Sequence, residues 1–163
     1  MVLFAAVMGN LKMSERQDIS FEMFGSGDFV RLEPIELINY NSDLDWDKNW
    51  IRTKVTVKGG NFSGQYVGDF MTVDFERFKQ ELSKLYDNLN FSASFNTIEG
   101  YLDLKIIGNG LGHFEVNVLA CDQPGIDESQ LKFKMSFDQT QIKDLVYQLD
   151  LITKKYPIVG DIK

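Results

Sequence analysis

Three aspartates alternate with other residues in the segment SDLDWDKNW, residues 42–50 of the chain. Carboxylates at such spacing can bind calcium, and an EF-hand loop that began at Asp43 would need a glycine at its sixth position and a glutamate at its twelfth. Lys48 and Lys54 occupy those positions. The segment is therefore interpreted as an acidic surface loop before a strand, or as a lip that contacts another protein, and no metal ligand is assigned.

Groups suited to nucleophilic catalysis are few. His113 is the single histidine, and no G-x-S-x-G motif accompanies it. Cys121 lies just after a predicted strand and next to Asp122, whose negative charge raises a thiol pKa. We interpret His113 as a residue at a strand end and Cys121 as a small, partly buried side chain, and assign no catalytic residue.

A pair of carboxylates is a further candidate for acid and base catalysis. If GNGLG, residues 108–112, closes a hairpin symmetrically, Lys105 lies opposite Glu115 and Asp103 lies opposite Asn117. A lysine would then stand between the two acids, as is typical of ion pairs on a solvated sheet face. The glycines here and elsewhere lack the lysine and helix start of a phosphate-binding loop and are interpreted as hairpin turns.

Composition limits the class of protein. The chain has 163 residues, of which 44% are hydrophobic and 13% aromatic, and this suits one domain with a substantial core. Its 24 acidic and 17 basic residues leave a net charge of −7, which disfavours direct nucleic-acid binding and favours a basic partner. One cysteine cannot form an internal disulfide, as expected of a cytoplasmic protein.

The first residues differ from the rest of the chain. An apolar run, Met1 to Met8, lacks a basic n-region and is too short to span a bilayer, so no membrane association is expected. The sequence MSERQD from Met13 resembles a natural start. We expect residues 1–18 to be a disordered extension or a misassigned start, and residues 19–163 to form a single α+β domain.

Hydrophobic periodicity predicts mainly strands. Apolar residues alternate with polar ones in residues 51–58 and 131–137, and similar alternation predicts strands near residues 19–24, 29–40, 62–70, 91–95, 102–106 and 114–118. Pro34 cannot donate to a sheet, so its segment is expected to be an edge strand or to contain a bulge.

Two segments show the helical period of 3.6 residues instead. The first helical segment runs from Phe75 to Leu89, and Thr72 or Asp74 is its cap. The second begins at Asp138, has Gln141 in capping-box spacing and ends before Pro157. Short connections favour antiparallel hairpins. The predicted fold is α+β, a curved antiparallel sheet of about 7–8 strands with two amphipathic helices packed on one face.

Several phrases in fixed order resemble the WapI-like family of bacterial immunity proteins. They are DWDKNWIRTKVTVKGGNFSGQY at residues 45–66, DFERFKQELSKLYDNLNFSASFNTIEGYLDLKIIGNGLGHFEV at residues 74–116 and LKFKMSFDQTQIKDLVYQLDLITKKYP at residues 131–157. The pattern includes an N-W pair at Asn49 and Trp50, an F-S-G strand from Phe62, a G-x-G hairpin from Gly110 and a D-Q-T helix start at Asp138.

The resemblance implies an intracellular, non-enzymatic immunity protein of a polymorphic toxin system. Such a protein binds the domain of a cognate toxin, often a nuclease, and neutralises it by occupancy, without a cofactor. The alternative is an intracellular protein-interaction module with an unknown partner, and an enzyme is the third class. From charge and loop chemistry, the candidate toxin-binding residues are Asp43, Asp45, Trp46 and Asp47, with Asp122, Asp127 and Glu128 in DQPGIDE, residues 122–128.

Overall fold

Two four-stranded antiparallel sheets and two α-helices are the regular elements of this computed structural model, which describes residues 18–162. The first sheet contains β1 (Phe21–Gly25), β2 (Asp28–Leu37), β3 (Trp50–Gly59) and β4 (Phe62–Met71), in that order. The second contains β5 (Ser92–Asn96), β6 (Leu102–Gly108), β7 (His113–Cys121) and β8 (Gln130–Asp138), also in order. Helix α1 (Thr72–Asp87) connects the sheets, and α2 (Ile142–Lys155) follows β8.

The predicted α+β class, with antiparallel strands and two helices, is confirmed. The eight strands are divided between two sheets, although the sequence predicted one. The division follows from α1, which starts directly after β4 and carries the chain away from the first sheet. On its return, β5 pairs with β6, and the backbone N–H of Ser94 donates to the Glu81 carboxylate of α1 at 2.7 Å. The proposed boundary near residue 19 stays a prediction, because residues 1–17 lie outside the described part of the chain.

The core is formed by the alternating residues of both sheets and by one stripe of each helix. Phe70 of β4, Phe75 and Phe78 of α1 and Phe95 of β5 form an aromatic cluster, with ring centroids between 5.2 and 6.1 Å apart. All four side chains are buried. Because burial of one phenylalanine contributes about 1.5–3 kcal/mol, this cluster is a major link between the two sheets.

Pro34 lies where the sequence predicted an irregularity. The pairing of β2 with β3 shifts between Pro34 and Glu36, which is a bulge. β1 has already ended at this level, since its first residue, Phe21, pairs with Leu32. The lack of an N–H group in proline therefore removes no hydrogen bond between β2 and β1.

The predicted register of the β6–β7 hairpin is wrong by two residues. Lys105 pairs with Asn117, and Glu115 pairs with Ile107. The carboxylate of Glu115 instead meets the amine of Lys134 on β8 at 2.9 Å. The turn is displaced because the side chain of Asn109 accepts hydrogen bonds from the N–H groups of Leu111 and His113, so the loop closes around Leu111 rather than Gly110.

The helix starts also differ in detail from the predicted caps. Thr72 is the first residue of α1, and its hydroxyl donates to the carbonyl of Asn49 at 3.3 Å, while Asp74 accepts from the N–H of Met71 at 3.2 Å. Asp138 accepts from the N–H of Thr140 and so caps a short 3-10 turn, Gln139–Gln141, that precedes α2. The predicted capping box is absent: the side-chain oxygen of Gln141 has no hydrogen-bond partner among the described residues, and its amide nitrogen donates to the carbonyl of Phe24.

Asp74 generates a prediction about pH. Its side chain is buried, its Oδ1 has no hydrogen-bond partner among the described residues, and burial raises its pKa from 3.8 to about 6, while the Met71 N–H and Arg77 oppose the shift. A carboxyl group whose pKa is raised by folding stabilises the folded state at pH values below its pKa in the unfolded chain. This stabilisation is lost as the pH rises through its pKa in the folded state.

We therefore expect the unfolding free energy of the wild type to fall by about 2 kcal/mol relative to Asp74→Asn between pH 4 and pH 7. Urea unfolding at several pH values measures the difference. Asp43→Asn, at an exposed position, is the matched control and should follow the wild type. A constant difference between the wild type and Asp74→Asn across this range would contradict the prediction.

Candidate functional site

The acidic segment singled out in the sequence lies in the connection between β2 and β3, and we call residues 40–48 the lip. Short side-chain contacts shape it. The hydroxyl of Ser42 donates to Asp47 at 3.0 Å and accepts from the N–H of Leu44 at 3.1 Å, and the amine of Lys48 meets Asp45 at 3.0 Å. Two of the three aspartates thus maintain the shape of the loop. Asp43 is exposed and makes no side-chain hydrogen bond within residues 18–162.

The buried side chain of Asn49 holds the lip in place. Its amide nitrogen donates to the carbonyls of Asp45 at 2.7 Å and Val159 at 3.0 Å, and its amide oxygen accepts from the N–H of Val159 at 2.8 Å. Its own carbonyl accepts from Thr72 at the start of α1. One residue therefore joins the lip to the C-terminal segment and to the first helix. In the sequence the N-W pair belongs to the family pattern, and nothing there indicates that Asn49 contacts a residue 110 positions away.

Gly160 completes this arrangement. Its φ is +81°, and a Cβ at this position would lie 2.7 Å from the Cβ of Asp45. Only glycine fits both the backbone conformation and the space.

Large apolar side chains are exposed on the lip. Tyr40, Leu44 and Trp46 are 65%, 64% and 45% exposed, respectively. Sequence reasoning selected Trp46 and missed the other two, because an apolar residue in a loop is as compatible with burial as with exposure. Exposed aromatic and aliphatic groups beside carboxylates on an immobilised loop have the composition of a protein-binding surface.

The second acidic loop, residues 122–128, is formed by its own carboxylates. Asp122 accepts from the N–H of Ser129 at 3.0 Å, and Glu128 accepts from the N–H of Gly125 at 3.2 Å. Asp127 has a φ of +50° and is exposed, as is its neighbour Ile126. Of the three predicted contact residues in this loop, Asp127 is the one whose carboxylate has no structural hydrogen bond among the described residues.

The two loops lie apart. The lip leads into Trp50, which pairs with Met71 at the end of β4. The second acidic loop begins at Asp122, which lines the same cleft as Tyr66, a residue in the middle of β4. Five residues of strand separate Tyr66 from Met71, a distance of about 17 Å. No hydrogen bond or ion pair within the described range 18–162 joins the two loops, so they form two separate acidic patches.

The remaining reactive groups have structural environments. His113 is the first residue of β7, as the interpretation of a strand-end histidine requires. Cys121 is buried, and burial raises the pKa of its thiol, with a further contribution from the carboxylate of Glu128. Residues 18–162 contain no group of three or more His, Cys, Asp or Glu side chains arranged to hold a metal ion. In the same range, no helix has the length and apolar character needed to cross a bilayer.

Comparisons with known proteins give one family and several distant structures. The family model described as the immunity protein WapI-like family matches residues 21–157. A comparison with curated proteins found no match.

Three solved structures resemble the fold. They are the MRP1/MRP2 proteins of Trypanosoma brucei (10% identity, TM-score 0.49, 87% of this chain and 88% of that chain), the plant transcriptional regulator PBF-2 (12%, 0.43, 84% and 79%) and WHY1 from Arabidopsis thaliana (11%, 0.45, 86% and 90%). Likenesses this distant carry no inference about function.

The contacts of Asn49 lead to a prediction about the lip. Asn49→Ala leaves the carbonyls of Asp45 and Val159 and the N–H of Val159 without their partner, and a buried unsatisfied group costs about 1–3 kcal/mol. We expect a loss of stability of about 2–4 kcal/mol in urea unfolding. Hydrogen exchange at Val159 should also become faster. Asn41→Ala, at an exposed position in the same loop, should change neither quantity, and equal behaviour of the two variants would refute the role of Asn49.

Proposed function

Because the chain belongs to the WapI-like family of immunity proteins, we propose that it binds the toxic domain of a cognate bacterial toxin and neutralises it by occupancy. No catalytic residue or cofactor takes part. The lip is the proposed centre of the interface, and the protein acts in the cytoplasm of the cell that it protects.

The immobilised lip is the observation that supports this proposal best. Leu44 and Trp46 project from a loop whose backbone is held by Asn49 and Gly160. A loop that is ordered before binding loses less conformational entropy in the complex, so more of the contact free energy appears as affinity. Aromatic residues surrounded by polar groups are typical of the residues that dominate binding energy.

Charge supports a basic partner such as a nuclease. The net charge of −7 is accompanied by a lip in which Asp43, Asp45 and Asp47 oppose one lysine, Lys48. A nuclease needs positive charge to hold phosphates, and complementary charge raises association rates at low salt. Fast association is useful to an inhibitor that must act before the toxin reaches its target.

The first test concerns the apolar part of the lip. We expect the double variant Leu44→Ala/Trp46→Ala to bind the cognate toxin domain about 100-fold more weakly than the wild type, because two central anchors are lost. Isothermal calorimetry with the toxin domain encoded beside this gene is the measurement. Leu111→Ala removes an apolar side chain that is 81% exposed on the β6–β7 turn and should bind as the wild type does.

The second test concerns the acidic part. Asp43→Asn should lower the association rate about two- to fivefold at low salt and should reduce the salt dependence of that rate, because a charge at an interface rim acts mainly on association. Stopped-flow mixing at two salt concentrations measures this. If the wild type shows no binding to the toxin domain at micromolar concentrations, the proposed function fails. If the lip variants bind normally, the toxin does not use the lip.

A further inference from the structure

Within residues 18–162, three of the four sheet edges each have a close contact between their backbone and another element. The backbone N–H of Glu22 in β1 donates to Gln148 of α2 at 2.7 Å, and that of Ser94 in β5 donates to Glu81 of α1 at 2.7 Å. β8 lies against β1, so close to Gly25 that no Cβ would fit there. Proteins cover sheet edges because unpaired backbone groups invite another strand. β4 is the remaining edge.

No described residue pairs with the outer edge of the first half of β4. A two-residue turn at residues 60–61 connects β3 to β4, and Gly59 pairs with Phe62. The pair that closes a two-residue hairpin is hydrogen-bonded, and backbone groups then alternate in direction along the strand. The residues whose backbone groups point away from β3 are therefore Ser63, Gln65 and Val67.

The direction of these groups agrees with the pairing on the other side of β3. The N–H of Ile38 donates to the carbonyl of Trp50 at 3.1 Å, which turns the backbone groups of Trp50 towards β2 and those of Ile51 towards β4. Within the described chain, residues 63–67 make no backbone hydrogen bond beyond those to β3. The open stretch ends at Gly68, which the ring of Tyr101 covers.

A cleft of about 300 Å³ lies beside this open edge. Phe62, Tyr66 and Leu131 supply its apolar lining, and Asp122 is the one charged residue among the described residues that line it. One oxygen of Asp122 accepts from Ser129, and the other has no hydrogen bond within residues 18–162. The cleft can therefore take an apolar stem that ends in a positive charge.

The surroundings of the cleft are acidic. Segments 97–104 and 120–131 contain five carboxylates, namely Glu99, Asp103, Asp122, Asp127 and Glu128, and each segment is followed directly by one lysine, Lys105 and Lys132 respectively. On the other side of the open edge, Lys54 and Lys58 of β3 lie beside β4, and each meets a carboxylate of β2, Glu33 and Asp28 respectively. The two segments touch, since a Cβ on Gly100 would lie 3.6 Å from Pro124. Burial raises the pKa of Tyr101 nearby, and the charges of Asp69 and Glu99 raise it further. A positively charged segment is the complementary occupant.

We propose that an extended, basic segment of the toxin domain adds to β4 as a fifth strand of the first sheet. Its backbone pairs with the outward groups of Ser63, Gln65 and Val67, and a lysine or arginine side chain enters the cleft and meets Asp122. Strand addition of this kind takes affinity from backbone hydrogen bonds and specificity from pockets for alternate side chains. The inference rests on the proposed function, since it names a second contact for the same partner.

One toxin domain can reach both surfaces. Gln65 lies six residues along β4 from Met71, the partner of Trp50 at the end of the lip, and this corresponds to about 20 Å. A standard interface covers about 800 Å² on each partner, a patch about 30 Å across. The lip and the open edge thus fit within one interface of ordinary size.

The test uses Gln65→Pro, with Gln65→Thr as the matched control. Proline removes the outward N–H of residue 65 and obstructs an added strand, while the hydrogen bonds to β3 pass through residues 64 and 66. We expect Gln65→Pro to bind the toxin domain at least tenfold more weakly than the wild type and Gln65→Thr to bind within twofold. Hydrogen exchange should show the amides of Ser63, Gln65 and Val67 protected in the wild-type complex.

A second variant tests the charge in the cleft. Asp122→Asn keeps an acceptor for Ser129 and removes the negative charge, so we expect several-fold weaker binding and a smaller salt dependence. Equal weakening by Gln65→Pro and Gln65→Thr would indicate a side-chain contact and overturn strand addition. If Gln65→Pro does not fold, absence of amide protection in the wild-type complex overturns the inference.

The failure of this inference differs from the failure of the proposed function. Unprotected β4 amides and normal binding of Gln65→Pro, together with weak binding of the Leu44→Ala/Trp46→Ala variant, would remove strand addition and leave the immunity function standing. No binding by the wild type would remove both.

Discussion

The aromatic cluster of Phe70, Phe75, Phe78 and Phe95 is the contact on which the architecture depends. Each sheet alone has one apolar face, and a sheet whose apolar face is exposed to water is poorly stabilised. The four rings come from the last strand of the first sheet, the connecting helix and the first strand of the second sheet. Packing between them gives both sheets a common core, and it fixes where α1 must lie between them.

A second, polar constraint acts at the surface. Asn49 is fully buried, and its amide group is fully used by partners in the lip and in the C-terminal segment. A buried amide tolerates few alternative geometries, since each lost hydrogen bond has a large cost. The lip is consequently ordered by the same kind of interaction that orders secondary structure, although it contains little regular structure itself.

The strands and helices could be predicted because their signals are local. Alternation in residues 51–57 placed Ile51, Val55 and Val57 in the core, and the helical period did the same for Phe75, Phe78, Leu82 and Leu85. Tyr86 continues the same helical period but is 40% exposed, with the amine of Lys143 over its ring. Periodicity identifies the buried face of a helix approximately. Whether a residue at the margin of that face is buried depends on the elements that pack beside it.

The division into two sheets, the β6–β7 register and the anchoring of the lip could not be predicted, because each depends on partners distant in sequence or on one side chain. Identical alternation is compatible with one sheet or two. The register followed from hydrogen bonds of Asn109, and the lip from an asparagine that reaches Val159. Charge did indicate where the exposed carboxylates of the candidate site would lie, and their use in binding remains a prediction.

An open sheet edge also bears on solubility. Two copies of this protein that met edge to edge along β4 would bring two acidic molecules of charge −7 together, with the carboxylates beside each cleft in mutual repulsion. The acidity that suits a basic strand therefore discourages pairing between identical copies. Near the isoelectric point, at about pH 4.7, that repulsion disappears, and the exposed strand becomes a route to self-association.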